Sequence, residues 1–252
     1  MKPDYFNSTL NVLIGFLLLT STHGHTATLP AHQSYVGVAL SWDHLDGKHY
    51  ESLSNFTGRD LTFSEGRSLS TNQFNGYLFL GTIFNLQQNW FISPEGQIGQ
   101  GALNRKLQNE VRDPDIMPIQ RHLNPHFSRK MATSFVIRSG KTLLESLQLY
   151  ALAGIDASLF KYSTAYEEVD FGGARGIGFR TFNQSKWKFA PVIGIGIAKT
   201  FGKAHLGIEY RFASYRAFKM TRIVYTQDLV EKISSKMKPQ ISSVMLRWSY
   251  TF

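Results

Sequence analysis

The amino-acid sequence predicts an all-β fold: a transmembrane antiparallel up-and-down β-barrel of eight strands, after a cleavable signal peptide. Two observations predict it. Eight segments alternate apolar and polar residues with the period of two that a strand imposes, and they run to the ~9–11 residues, or slightly more, that a tilted strand needs to cross a bilayer. The connections between them are long and short in strict alternation, as a barrel with both termini in the periplasm requires. Composition agrees: 18% of residues are charged, 13% are aromatic and 21 are glycine, a balance that favours many short strands with turns.

The N-terminus comes first. Residues 12–19 form an apolar run of eight behind Lys2, followed by small and polar residues, which is the layout of a secretory signal. Eight residues are too few for a helix crossing ~30 Å of hydrocarbon, which takes roughly 20. Thr22 and Gly24 fit the −3 and −1 positions of a cleavage site, with a cut after Ser21 or Ala27 as alternatives. Residues 1–24 therefore read as signal peptide and 25–252 as one barrel domain. No cysteine is present, which excludes disulfides and thiol chemistry. The net charge is +9, and removing the signal takes away one Lys and one Asp, leaving +9. Such a surplus suits an anionic surface such as lipopolysaccharide, with nucleic acid as the rival; the membrane-crossing pattern favours the former.

The strands follow in order. Residues 35–42 place Val36, Val38, Leu40 and Trp42 opposite Tyr35, Gly37, Ala39 and Ser41. Residues 73–84 form a second strand whose facing stays open, because Phe and Leu occur in both phases. In 90–102, Trp90, Ile92 and Ile98 oppose Ser93, Glu95, Gln97 and Gly99. In 130–138, Met131, Thr133, Phe135 and Ile137 oppose Lys130, Ala132, Ser134 and Arg138. The longest, 147–161, sets Leu147, Leu149, Ile155 and Leu159 against Gln148, Tyr150, Gly154, Asp156 and Ser158. Residues 187–201 set Trp187, Phe189, Ile193, Ile195 and Ile197 against Ala190, Gly194, Gly196 and Thr200. Residues 204–215 set Leu206, Ile208, Tyr210 and Phe212 against His205, Gly207, Glu209 and Arg211. The last strand, 242–252, sets Val244, Leu246, Trp248, Tyr250 and Phe252 against Ser243, Met245, Arg247, Ser249 and Thr251. Long connections at 43–72, 103–129, 162–186 and 216–239 alternate with short ones at 85–89, 139–146 and 202–203. A further strand pair from 171–183 and 219–225 would make ten strands.

The segments 187–197 (WKFAPVIGIGI) and 205–212 (HLGIEYRF) and the closing Tyr250-Thr-Phe252 resemble the last three strands of opacity-protein-like surface antigens. That family shares the eight-stranded barrel of the outer membrane protein A transmembrane domain. The resemblance implies residence in the outer membrane of a Gram-negative cell envelope, and a monomeric, porin-like barrel bearing surface loops. It also implies an assembly signal at Trp248, Tyr250 and Phe252, read by the barrel-assembly machinery. One departure stands out: the Gly that such signals carry five residues before the final aromatic is Arg247 here.

Eight strands enclose a space that side chains fill. The expected inward faces carry Glu95, Asp156, Glu209, Arg211 and Arg247, and enclosed charges persist only when paired and hydrogen-bonded, so these five are expected to form a polar plug. Sites for chemistry are sparse. His126 and Ser128 have the His-x-Ser spacing of outer-membrane lipid A deacylases, but the Asn that follows Ser in that family is Arg129, and Pro125 places the pair at a loop end. His122 and His126 have the spacing of a helical metal pair, with Pro125 breaking the helix. The glycine runs at 172–178 and 194–196 lack the strand-to-helix setting of phosphate loops. No catalytic residue, cofactor or metal is therefore expected.

What remains is basic surface. The last long connection carries Arg216, Lys219, Arg222, Lys232, Lys236 and Lys238 against Asp228 and Glu231, and the second carries Arg105, Lys106, Arg112, Arg121 and Arg129 against Glu110, Asp113 and Asp115. Such loops suit outer-membrane lipid, lipopolysaccharide and an envelope or host polyanion. Residues 227–237 also have the spacing of a short amphipathic helix, read here as loop packing. The expected role is structural or surface-interacting, adhesin- or antigen-like; a lipid A-modifying hydrolase and a narrow pore are the alternatives.

Overall fold

The computed structural model describes residues 32–55, 67–101, 104–106, 109–112, 119–144, 146–170, 180–225 and 230–252; the expected signal peptide and its cleavage positions lie outside them. The strands are β1 (His32–Asn55), β2 (Arg67–Asn85), β3 (Trp90–Gln100), β4 (Asn104–Lys106), β5 (Asn109–Arg112), β6 (Ile119–Leu143), β7 (Leu147–Asp170), β8 (Arg180–Phe201), β9 (Ala204–Ser214), β10 (Phe218–Tyr225) and β11 (Val230–Thr251). Neighbours pair antiparallel in the order β1, β2, β3, β6, β7, β8, β9, β11, eight in all, and β11 pairs back onto β1. That last ladder closes the ring, so the barrel proper has no free edge. β4 and β5 pair with β6 beyond the end of β3, and β10 pairs with β11 beyond the end of β9. They lengthen existing staves. Residues 219–225 lie on β11 and 180–183 on β7, so among the described residues they form no further strand pair with one another.

The alternation read from the sequence is the facing of the barrel. Leu40, Leu80, Phe189 and Ile195 point outward and are 64–68% exposed, whereas Tyr35, Phe79, Phe91 and Tyr150 point inward and are buried. In β2 the open choice falls to Phe74, Leu78, Leu80 and Phe84 outside, with Asn75, Tyr77 and Phe79 inside. An apolar outside around a polar inside is stable only with lipid as the outer solvent, because water would leave this whole band unburied.

Two expectations change. Lys130 was expected to face inward; the ladder between β6 and β7 shifts register between Arg129 and Met131, and this bulge turns Lys130 out to an exposed position and buries Arg129. The segments expected to be long loops are largely strand. β1 stays paired to β11 as far as Asn55 opposite Glu231, and β6 to β7 as far as Ile119 opposite Asp170. β1 and β7 have 24 residues each and β6 has 25, more than twice a membrane crossing. Backbone pairing outlasts the membrane because N–H and C=O groups pair as well beyond the lipid as within it. Pro125 sits within β6, opposite Thr164, rather than at a loop end, and 230–237 is strand rather than the expected loop packing.

The short turns are tight. Gly202, between β8 and β9, has φ +62, the left-handed backbone that glycine adopts without strain. A closed ladder resists detergent, so the folded protein is expected to migrate on a gel at a different apparent mass from the boiled protein. Identical migration of both samples would contradict closure.

Candidate functional site

The barrel interior is the candidate site, and it is a charge network in two layers. Near the short turns, Glu95 of β3 and Glu209 of β9 meet Arg138 of β6, Arg211 of β9 and Arg247 of β11. Arg138 donates from Nη2 to Glu95 Oε1 at 2.7 Å and from Nε to Glu209 Oε2 at 3.0 Å. Arg247 spans the same two carboxylates, at 2.5 Å to Glu95 Oε2 and 3.0 Å to Glu209 Oε2. Arg211 is paired with Glu209 and donates to Gln97 Oε1 at 2.6 Å. The hydroxyls of Tyr35 and Tyr150 donate to Glu95 and Glu209 at 2.7 and 3.1 Å.

Toward the long extensions, Arg129 donates to Asp43 Oδ2 at 3.1 Å, Asp156 Oδ2 at 3.3 Å and Ser158 Oγ at 2.9 Å. Asn75 donates to Asp43 at 2.6 Å, and the Tyr215 hydroxyl donates to Asp156. All eight charged residues are 8% exposed or less. Four acids (Asp43, Glu95, Asp156, Glu209) and four arginines (Arg129, Arg138, Arg211, Arg247) sum to zero. Each charge is taken out of water, and the arrangement holds because every one has an opposite partner and all but Arg247 make a further hydrogen bond to a neutral side chain, with Asp43 Oδ1 and Arg211 Nη2 buried without one.

Small residues make room for this network. A Cβ on Gly37 would fall 2.4 Å from the Phe79 ring, and the Arg247 guanidinium lies 4.1 Å from the centroid of that ring. Above the second layer, Phe127, Phe160, Tyr162, Tyr215 and Phe218 pack with ring centroids 5.0–6.5 Å apart. Below the first layer lies a cavity of about 40 Å³ bordered by Arg138, His205 and Arg247, room for a few waters.

Glu95, Asp156, Glu209, Arg211 and Arg247, the five expected lumen residues, all lie in this network. Asp43, Arg129 and Arg138 complete it. Arg138 shares the inward phase of Ser134, a signal present in the sequence; Asp43 and Arg129 sit where the apolar alternation had already stopped.

The other candidate residues are placed as follows. His126 Nδ1 lies 3.3 Å from Ser163 Oγ, and Ser128, 1% exposed, donates at 3.5 Å to the Lys161 carbonyl. The His122 side chain lies outside the described residues, as does the 172–178 glycine run. Among the described residues no three His, Cys, Asp or Glu side chains gather as a metal-holding group. Trp248, Tyr250 and Phe252 lie on the outer face beside the short turns, 44–73% exposed, with the Phe252 amide donating to the Ser34 carbonyl at 3.0 Å. Arg216, Lys219, Lys236 and Lys238 are exposed. Arg105 and Lys106 belong to β4, Arg222 to β10 and Lys232 to β11, with side chains outside the described residues.

A closed ring of strands with an apolar exterior and a paired-charge interior defines a transmembrane β-barrel. No family model matches the chain, and no curated protein matches it in sequence. Among solved structures it is similar to Ail, the attachment invasion locus protein of Yersinia pestis, in complex with the heparin analogue sucrose octasulfate, at 12% identity, covering 87% of this chain and 99% of that one with a TM-score of 0.40. It is similar also to the outer membrane protease OmpT from Escherichia coli (12% identity, 90% and 99% covered, TM-score 0.45) and to the outer membrane protein OprG from Pseudomonas aeruginosa (10% identity, 87% and 96% covered, TM-score 0.47).

Proposed function

We propose that the protein is a sealed barrel that works by surface contact, an adhesin- or antigen-like envelope protein that neither conducts nor catalyses. The observation that carries this reading is the neutral eight-charge plug under its aromatic layer. An ion would have to break several buried pairs at once to pass, and each such break costs about 3–5 kcal/mol. With the interior filled, the parts left to act are the strand extensions beyond the membrane. Their basic residues favour an anionic partner, an envelope or host polyanion.

Two measurements test this. Purified folded protein in planar bilayers is expected to give no steady conductance, and antibody raised against the β10–β11 hairpin is expected to label intact cells. Steady conductance of the unaltered protein would favour the narrow pore. Release of acyl chains from lipopolysaccharide would favour the hydrolase.

A further inference from the structure

We propose that the outer wall of the barrel carries a binding site for the phosphate groups of an outer-leaflet lipid, built from Lys48, Lys219, Lys236 and Lys238. The inference rests on the reading of the chain as a surface-acting barrel and names one ligand for it.

The site is made by register. Lys48 of β1 stands directly opposite Lys238 of β11, and Lys219 of β10 directly opposite Lys236 of β11. All four are exposed, and all lie on the outward face: their neighbours His49, Met220, Ser235 and Met237 are the buried, inward ones. Like charges directly opposed on an antiparallel pair destabilise it, yet here two such pairs adjoin along β11. Among the residues whose side chains are described, no carboxylate forms an ion pair with any of the four. Asp46, the acid next along this face of β1, turns its Oδ1 to the Gly47 amide at 2.7 Å. Four ammonium groups on one patch of wall are thus left for an anion from outside, and lysine, with a compact charge and rotatable donors, suits phosphate.

Position selects the lipid. The patch faces sideways from the wall, not upward from the rim. Lys48 lies six residues beyond Trp42 on the same outward row, about 20 Å along the strand at ~3.3 Å per residue, and the strand tilt of ~35–45° lowers its height over the apolar band. Below Trp42 that row continues through Leu40, Val38 and Val36 into lipid. Leu40 and Val38 also border an apolar groove of about 680 Å³ on the outer wall with Leu78 and Ile98, where Gly76 leaves nothing within 4 Å of the place a Cβ would take. A phosphorylated glycolipid therefore finds an apolar surface for its acyl chains and, farther along β1, Lys48 at headgroup height beside the lysines of β11 and β10.

The test uses the full folded protein with lipid A bearing both phosphates, dephosphorylated lipid A, and a soluble heparin oligosaccharide, reading adducts by native mass spectrometry. The phosphorylated lipid is expected to bind, the dephosphorylated form about tenfold less, and the K48Q/K219Q/K236Q/K238Q variant about tenfold less of the phosphorylated form. Heat-modifiable migration reports whether that variant folds; where it does not, K48Q/K238Q, which removes one opposed pair, is compared instead and is expected to lose binding in the same direction. Equal binding of both lipids, or no change in a folded variant, overturns the proposal in favour of acyl contact alone. Heparin adducts that are lost in the variant, without lipid A adducts, overturn it in favour of a soluble polysaccharide. Either failure leaves electrical silence in bilayers as it was, so the site and the sealed-barrel reading fail separately.

Discussion

Arg138→Ala is expected to be the most damaging single substitution in the barrel. Arg138, like Arg247, bridges Glu95 to Glu209, and it alone of the two also donates to the Tyr35 hydroxyl, at 3.2 Å; the two carboxylates are 1% exposed. Removing it leaves the layer near the turns with two acids and two arginines, and strips direct partners from both buried carboxylates. Breaking a buried pair in this way costs about 3–5 kcal/mol, a large share of the ~5–15 kcal/mol by which folded proteins are stable. Urea unfolding of the detergent-folded protein, followed by the heat-modifiable band, is the measurement. An unchanged midpoint would mean that the plug is solvated and its pairs weak. Added salt is expected to move the wild-type midpoint little, because buried pairs are poorly screened.

Deleting Phe252 is expected to separate assembly in the cell from stability in the tube. The side chain is 73% exposed on the outer face, so it contributes through contact with lipid rather than with protein. Its loss from an apolar environment is worth ~2 kcal/mol, which leaves most of the barrel folded in detergent. If the closing aromatics are read by the assembly machinery, as the resemblance to opacity-like antigens implies, the folded fraction in cells falls sharply while refolding in vitro proceeds. Equal losses in both settings would assign the whole effect to stability. Normal assembly in cells would remove the recognition role of Tyr250 and Phe252. Arg247 bears on the outcome: it stands where such signals carry Gly, and the structure commits its guanidinium to Glu95 and Glu209.

Legibility followed the lipid. Within the membrane each strand has a wet face and an oily face, so the sequence alternates and the facing of Val36, Glu95, Glu209 or Trp248 can be read directly. Beyond the membrane the outer face meets water while the inner face stays packed, with Leu45, Tyr162, Phe218 and Met237 buried, so the apolar-out, polar-in alternation ends there and the extensions of β1, β6, β7 and β11 read as loops although their ladders continue. Asp43 was missed for this reason: it faces inward one step past Ser41, at the point where Trp42 ends the apolar row. Arg129 and Lys130 were a different case. Both are basic, and only the bulge in β6 decides which of them enters the barrel.

The sequence by itself determined the eight-strand alternation, the order of long and short connections, the apolar outer face and five of the plug residues, because each depends on neighbours two residues away on one strand. The closed ring was decided by tertiary structure. So were the pairing of Arg138 with Glu95, 43 residues away, and with Glu209, 71 residues away, and the meeting of Lys48 with Lys238 across the β1–β11 seam. These are contacts between strands, and their partners are set by ladder register and barrel closure, to which no periodicity within a single strand responds.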